Sequence, residues 1–325
     1  MNFEITNSNV NTNTNMQLLN QSNQYSLGLQ CVFEYLFSLQ SETSRRSMKS
    51  SIGVGLRIIN TTIEKFNWST LSDTLLLGII NKLSISHSPN SINTILAAFK
   101  GIAHRLWLNE VISDKVYKMI KEVKGIRGSR VEHGRALSGD EIHKLFKNFN
   151  SDTTKNVRDA AILAVLIGCG LRRAECISLR YENIYLGGSN PYLSVVGKGN
   201  KERICFIPKA YIKYLKNWFQ IRGDDLGLCF YQVNRYERIV KKPMTSQRIY
   251  SLVKEWSEDL NLDKLSPHDL RRTYASMLLT NGVDIFTVKD MMGHSSVSTT
   301  QRYDKRGISK MQNAIDILNK ANRVA

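Results

Sequence analysis

Residues 265–279 read "LSPHDLRRTYASMLL". The stretch predicts a helix start. Ser266 is a capping type, Pro267 suits the first helical position, and Asp269 stands where a capping-box acid belongs. His268 then falls in the first turn, with Arg271 as its i+3 neighbour on one face. Arg272 points about 100° away from Arg271. The expected core stripe is Leu270, Tyr274, Met277 and Leu278. By itself, a His–Arg pair at a helix start is most often surface decoration. Its meaning depends on the rest of the chain.

The surrounding chain has 325 residues, which suits two domains. Hydrophobic content is 42%, ordinary for a globular protein. The longest apolar run, "AAILAVLIGCG" from Ala160, is too short to span a membrane. Net charge is +17, from 45 Lys and Arg against 28 Asp and Glu. Such an excess favours a polyanionic partner, nucleic acid first. The five cysteines, Cys31, Cys169, Cys176, Cys205 and Cys229, form no CxxC pair and no zinc-ligand spacing, and read as reduced core residues of an intracellular protein.

Residues 1–24 hold eight asparagines and no Lys or Arg. They fit neither a secretory signal nor a transit peptide and read as a disordered polar tail. From 25 to 125 the apolar spacing is helical, as in "YSLGLQCVFEYLFSL", and no strand is convincing. A small all-α domain is expected there, with Ser41, Thr43 and Ser44 as capping types and a basic patch of Arg45, Arg46 and Lys49. Its end, "SDKVYKMIKEVKGIRGSR", places Lys115, Lys118, Lys121, Lys124, Arg127 and Arg130 at every third residue. On a helix this makes a slowly turning stripe, suited to phosphates around a duplex. The bland alternative is a solvated helix face.

Residues 126–136 read as a basic linker, and a second domain is expected over 137–325. Ser138-x-x-Glu141 is a capping box. A long helix is expected near 153–167, ended by Gly168 and Gly170. Short strands follow in "NIYLG", "YLSVV" and "ERICFIP", the last two joined by the turn "GKGNK". Helices are expected to fill the rest. The predicted fold is therefore mainly α with a small antiparallel sheet in the C-terminal domain.

Three further stretches carry charged residues in order. "GLRRAE" gives Arg172 and Glu175 at i and i+3 after glycines; "GKGNKER" puts Lys198 at a hairpin tip with Lys201 and Arg203; "GHSSVSTTQRY" sets His294 nine residues before Tyr303. Gly293 stops one helix, and Ser298-x-x-Gln301 is expected to cap a short one that carries Tyr303.

Together, "GLRRAE", "GKGNKER", "HDLRRTYAS" and "GHSSVSTTQRY" resemble the tyrosine recombinase (phage integrase) family. The resemblance covers about residues 137–305 and extends more weakly to 25–125, which looks like the family's core-binding domain. It implies a two-domain DNA clamp that cuts and rejoins strands through a 3′-phosphotyrosine link and a Holliday junction. By the resemblance, Tyr303 is the nucleophile, Arg172 and Arg271 hold the non-bridging phosphate oxygens, and His268 is the base or proton relay. His294 is a phosphate ligand, Lys198 protonates the leaving 5′-oxygen, and Glu175 is a supporting residue. No P-loop and no carboxylate cluster for two metals is present in the sequence, so no cofactor, ATP or metal is expected.

The expected partners are double-stranded DNA and further copies of the chain: monomer or weak oligomer when free, tetramer on paired sites. Accessory DNA-bending proteins stay an open question, no membrane partner is expected, and the expected place is the cytoplasm, at the nucleoid. The tail "GISKMQNAIDILNKA" has an apolar face of Ile308, Met311, Ile315 and Leu318, which suits packing on a neighbouring subunit or on its own domain. A type IB topoisomerase, or a DNA-binding protein that has kept the fold without the chemistry, are the competing readings.

Overall fold

The computed structural model describes residues 26–128, 134–149, 153–197, 201–304 and 315. The chain divides into two compact units, Met1–Glu132 and His133–Ala325. The expected polar tail, Arg130, Lys198 and the tail face beyond Tyr303, apart from Ile315, lie outside the described residues.

The first unit is all helix among its described residues: α1 (26–38), α2 (Glu42–Arg57), α3 (Asp73–Ser84), α4 (Pro89–Leu108) and α5 (Asp114–Glu122). Serine starts four of them. Ser41, Ser72, Ser88 and Ser113 each accept the amide of the residue three further on, at 3.1–3.4 Å, and each such cap contributes about 1 kcal/mol. Cys31, Val32, Ile52, Leu56, Trp68 and Phe99 lie in the core. The indole of Trp68 donates to the Ile63 carbonyl at 3.0 Å, so its one polar atom is satisfied.

The basic stripe is only half helical. Helix α5 ends at Glu122, where the chain turns extended at Val123 (ψ 115°) and Lys100 Nζ donates to the carbonyls of Lys121 (2.7 Å) and Val123 (2.6 Å). Lys115, Lys118 and Lys121 are exposed on the helix, while Lys124 and Arg127 are exposed on non-helical chain. Lys118 is paired with Asp114 at 2.7 Å, and Arg46 with Glu42. Arg45 donates to the Leu39 carbonyl at 3.0 Å, and Lys49 is exposed.

In the second unit α6 (Gly139–Lys147) starts with the expected Ser138–Glu141 capping box. Helix α7 (Thr154–Gly168) is buried on every side from Arg158 onward and packs against α9 (Lys209–Arg222) and α11 (Pro267–Thr280). Helix α8 (Arg173–Ser178) leads into β1 (Ile184–Tyr185), β2 (Tyr192–Val196) and β3 (Glu202–Phe206), an antiparallel sheet in that order. Its register pairs Val195 with Arg203 and Leu193 with Cys205. A second hairpin, β4 (Tyr231–Val233) and β5 (Ile239–Pro243), stands where only helices were expected. Helices α10 (Ser246–Asp259), α12 (Ile285–Met292) and α13 (Val297–Gln301) complete the described part.

Three details of the helices depart from the sequence reading, the first being that Tyr303 lies in a turn past α13, which ends at Gln301, and not on that helix. Met277 is not core: it is 43% exposed, whereas Leu270 and Tyr274 are buried. The cap of α13 is Ser296, which accepts from Ser298 N at 3.3 Å, so Ser298 lies inside the helix. All five cysteines are free and buried. No helix among the described residues is long and apolar enough to cross a membrane.

Candidate active site

The site lies at one end of α11. The expected capping box forms: Asp269 takes Ser266 N at 2.9 Å and Ser266 Oγ at 2.6 Å. This fixes the first turn and with it His268 and Arg271. They share a cavity of about 410 Å³ with Arg172, Arg173, Tyr250, Thr299, His294 and Tyr303. Five of the six residues expected to do chemistry therefore meet, from segments more than 120 positions apart. The sixth, Lys198, is outside the described residues. Of the described residues on either side of it, Gly197 N donates to the Lys201 carbonyl at 2.8 Å.

The arginines are held by one helix end. Gly293 adopts the left-handed conformation (φ 62°) and stops α12. Its carbonyl and the two before it each receive a different guanidinium. Gly293 O takes Arg172 Nη2 at 2.9 Å, Met292 O takes Arg271 Nη2, and Met291 O takes Arg203 Nε at 3.2 Å. Helix carbonyl ends carry partial negative charge and favour cations. Arg271 also donates through Nη1 to the carbonyl of Gly170, the residue that turns the chain after α7 at φ +59°.

Glu175 is the carboxylate at the centre. It accepts Arg172 N at 2.7 Å, Arg172 Nη1 at 2.6 Å, and both terminal nitrogens of Arg203 at 2.9 Å; Arg271 Nη1 lies 3.9 Å away. Burial pushes its carboxyl up, but the Arg203 fork and the Arg172 amide outweigh that and hold it down at about 2. Arg203, read from the sequence as part of the basic hairpin tip and a candidate DNA contact, is turned away from that role. Alternation along β3 puts it on the face of buried Cys205, so it points inward, 11% exposed, and braces Glu175. Lys201 is exposed as expected.

Three guanidiniums to one carboxylate leave the pocket strongly cationic. Burial first, and Arg172 next, bring Arg271 down to about 10, so it stays charged at neutral pH. His294 is 8% exposed, and burial followed by Arg271 lowers its ring to about 4. It is therefore neutral, and its tautomer follows from its neighbours. Arg271 Nη2, 3.1 Å from His294 Nε2, can only donate, so Nε2 accepts. Nδ1 then carries the proton and donates to Thr300 Oγ1 at 2.9 Å.

Tyr303 closes the cavity. It is 3% exposed and packs with Tyr274, Ala275, Val288 and Met292. Its hydroxyl is 3.3 Å from Nε2 of His268, whose ring is exposed. Arg272 is also part of the site, which the sequence reading missed. It is 4% exposed, with its guanidinium over the Tyr303 ring, 5.4 Å from the centroid. The signal was available: Arg272 is four residues after His268, so the two are only about 40° apart around the helix. Among the described residues no group of three His, Cys, Asp or Glu is placed to hold a metal ion.

Residues 135–307 match the phage integrase family. The chain is 28% identical over 236 residues to tyrosine recombinase XerA of Pyrococcus furiosus, covering 72% of this chain and 76% of that one. It is 36% identical over 182 residues to tyrosine recombinase XerD of Staphylococcus aureus, covering 54% of this chain and 61% of the relative. Its fold is similar to XerH site-specific recombinase bound to a palindromic difH substrate, with TM-score 0.66 and 16% identity over 91% of this chain and 96% of that one. It is also similar to a lambda integrase dimer bound to a COC′ core site, with TM-score 0.62 and 14% identity over 85% and 94% of the two chains.

Proposed function

Because the chain belongs to the phage integrase family, we propose that it is a site-specific DNA recombinase in which Tyr303 attacks the scissile phosphate and becomes 3′-phosphotyrosyl. The observation that supports this most is the meeting of Tyr303 Oη and His268 Nε2 at 3.3 Å, in one cavity with Arg172, Arg271 and His294.

A phosphodiester repels nucleophiles because it is an anion. Arg172 and Arg271 offset that charge and take up the extra charge that develops on the non-bridging oxygens. Guanidinium suits this because it is planar and stays charged. Their aim is fixed beforehand by Glu175 and by the carbonyls of α12. A phenol ionises at about pH 10, so Tyr303 must lose its proton as it attacks. His268 accepts that proton at the hydroxyl it faces. Its exposed ring then passes it on to solvent.

His294 Nε2 accepts from Arg271 as it stands. A phosphate beside it adds negative charge and raises the proton affinity of the ring. Once protonated, Nε2 donates to a non-bridging oxygen. Lys198, which lies between β2 and β3 in the sequence, gives a proton to the leaving 5′-oxygen. The tyrosyl ester keeps the energy of the broken bond, so a free 5′-hydroxyl reseals it without ATP. Attack by a hydroxyl from a second duplex exchanges strands through a Holliday junction. The recombining form is a tetramer on paired DNA sites, acting in the cytoplasm at the nucleoid.

The test is covalent trapping. DNA recovered by sequencing from covalent complexes in the native cell is rebuilt as a nicked suicide duplex. The wild-type chain should become covalently linked to it and Tyr303→Phe should not. Equal trapping by both rules out Tyr303 as nucleophile. A synthetic Holliday junction of the same sequence should be resolved into paired products. Relaxation of supercoils without junction resolution would instead mark a topoisomerase.

A further inference from the structure

Helix α11 meets Tyr303 at three levels. His268 faces its hydroxyl at 3.3 Å, Arg272 lies over its ring at 5.4 Å, and Ser276 Oγ donates to its backbone carbonyl at 3.4 Å. These positions are i, i+4 and i+8, one stripe on one helix face. Arg271 belongs to a neighbouring stripe and is occupied with Gly170, Met292 and His294. The pair Arg271–Arg272 therefore divides its work: one guanidinium is directed to the phosphate pocket and the other to the tyrosine.

We propose that Arg272 is a positioning residue for the nucleophile: held over the ring of Tyr303, it fixes the ring plane and stabilises the phenolate that forms during attack. The inference rests on the reading of Tyr303 as nucleophile. The physical reason is that a phenolate spreads its charge into the ring, and a desolvated cation over the ring face attracts that charge more than it attracts the neutral phenol. Arg272 is 4% exposed, so water screens it little.

Its position is also specified from behind. A side chain at Gly134 would place a Cβ 2.9 Å from Arg272 Nη2 and 2.7 Å from Asp269 Oδ1. Arg135 N donates to the same Asp269 oxygen at 3.0 Å, and Leu137 N to Thr273 Oγ1 at 2.9 Å. Residues 134–137 thus lie along α11 against Asp269, Arg272 and Thr273. A side chain at Gly134 would have to displace the Asp269 carboxylate or the Arg272 guanidinium.

Other charged groups also face Tyr303. His268 is at the hydroxyl, and the His294 ring is 5.9 Å from its own. Arg271 acts on it electrostatically from α11, and Arg302 and Asp304 flank it in sequence. From α12, Val288 and Met292 contribute only apolar surface. The experiment must therefore isolate Arg272 by substitution.

The experiment titrates the phenol itself and needs no DNA. The full chain is labelled with ring-13C tyrosine, and the Tyr303 resonance is assigned by its loss in Tyr303→Phe. Its ionisation is followed by NMR in wild type, Arg272→Met and Arg272→Lys, with circular dichroism confirming that each variant is folded across the range. Arg272→Met should raise the Tyr303 midpoint by about one pH unit, a tenfold weaker ionisation. Arg272→Lys, which keeps the charge, should recover most of that shift. A purely structural role would give two variants with similar shifts. The same midpoint in wild type and Arg272→Met, or a shift that Lys does not recover, overturns the proposal. If Arg272→Met does not fold, Arg272→Lys against Arg272→Gln gives the same contrast. Trapping by Tyr303→Phe would overturn the nucleophile reading instead, and would leave this titration to be judged separately.

Discussion

Arg203 and Glu175 join through two parallel bonds of 2.9 Å, Nη1 to Oε1 and Nη2 to Oε2. The pair ties strand β3 to the start of α8, and it holds the carboxylate that orients Arg172. A fork-to-fork pair fixes orientation as well as distance. Because Glu175 is 4% exposed, the pair is shielded from solvent.

Removing the carboxylate should therefore cost stability. The Glu175 carboxyl sits at about 2, below the ordinary glutamate value of about 4.3. Its contribution is fully present above about pH 4.5 and is lost as pH falls through 2, amounting to about 3 kcal/mol. Glu175→Gln should lose about that much at pH 7 in urea unfolding, and should show a flatter acid limb between pH 4.5 and 2. An unchanged acid limb would place the effect on another carboxylate.

His294 works in a different window. Its ring is lowered from about 6.5 to about 4, so the fold favours the neutral form. That contribution is complete above pH 6.5 and declines as pH falls to 4, by about 3 kcal/mol. Unfolding free energies measured at half-unit steps should show the decline in wild type and lack it in His294→Asn. A parallel decline in both would refute the assignment.

The helical part of the basic stripe makes a separate prediction. Lys115 and Lys121 are exposed, while Lys118 is shared with Asp114. The double change Lys115→Gln, Lys121→Gln should weaken binding equally on duplexes of different sequence. It should reduce the slope of log affinity against log salt by roughly two, and Lys118→Gln should reduce it by less than one. An unaltered slope would return these lysines to a solvated helix face.

Gly170 links the fold to the chemistry. A Cβ there would stand 2.4 Å from Tyr274 Cδ1, on backbone at φ +59°. Left-handed strain and overpacking together should cost about 3 kcal/mol. Gly170→Ala should thus lower the melting temperature by several degrees. It should also cut covalent trapping more than tenfold, since the Gly170 carbonyl holds Arg271. Gly139→Ala, with open space around it, is the control and should be close to neutral.

Much of this architecture was legible in the sequence because it is local. The two acid capping boxes and the His268–Arg271 spacing are written in neighbouring residues, and α6 and α11 start where they say, whereas Ser298 misled because Ser296 caps α13. What was hidden is set by register and by distant partners. Strand β3 turns Arg203 inward, although its charge suggested the opposite. The β4–β5 turn uses Asn234–Glu237, with Glu237 at φ 57°, rather than a glycine pair, and its strands are short, three and five residues, the second ending in two lysines and a proline. Arg272 was judged against Arg271 and not against His268, one helical turn away. The carbonyl seats at the end of α12 have no side-chain signature at all.

Those seats have a consequence for control. Arg172, Arg271 and Arg203 come from three separate elements, yet they rest on adjacent carbonyls of one short helix, and Tyr303 follows ten residues after Gly293 on the same stretch of chain. Any contact that rotates or frays the end of α12 therefore shifts all three guanidiniums and the segment leading to Tyr303 together. The charge of the pocket and the approach to Tyr303 thus depend on one short helix end rather than on separate supports.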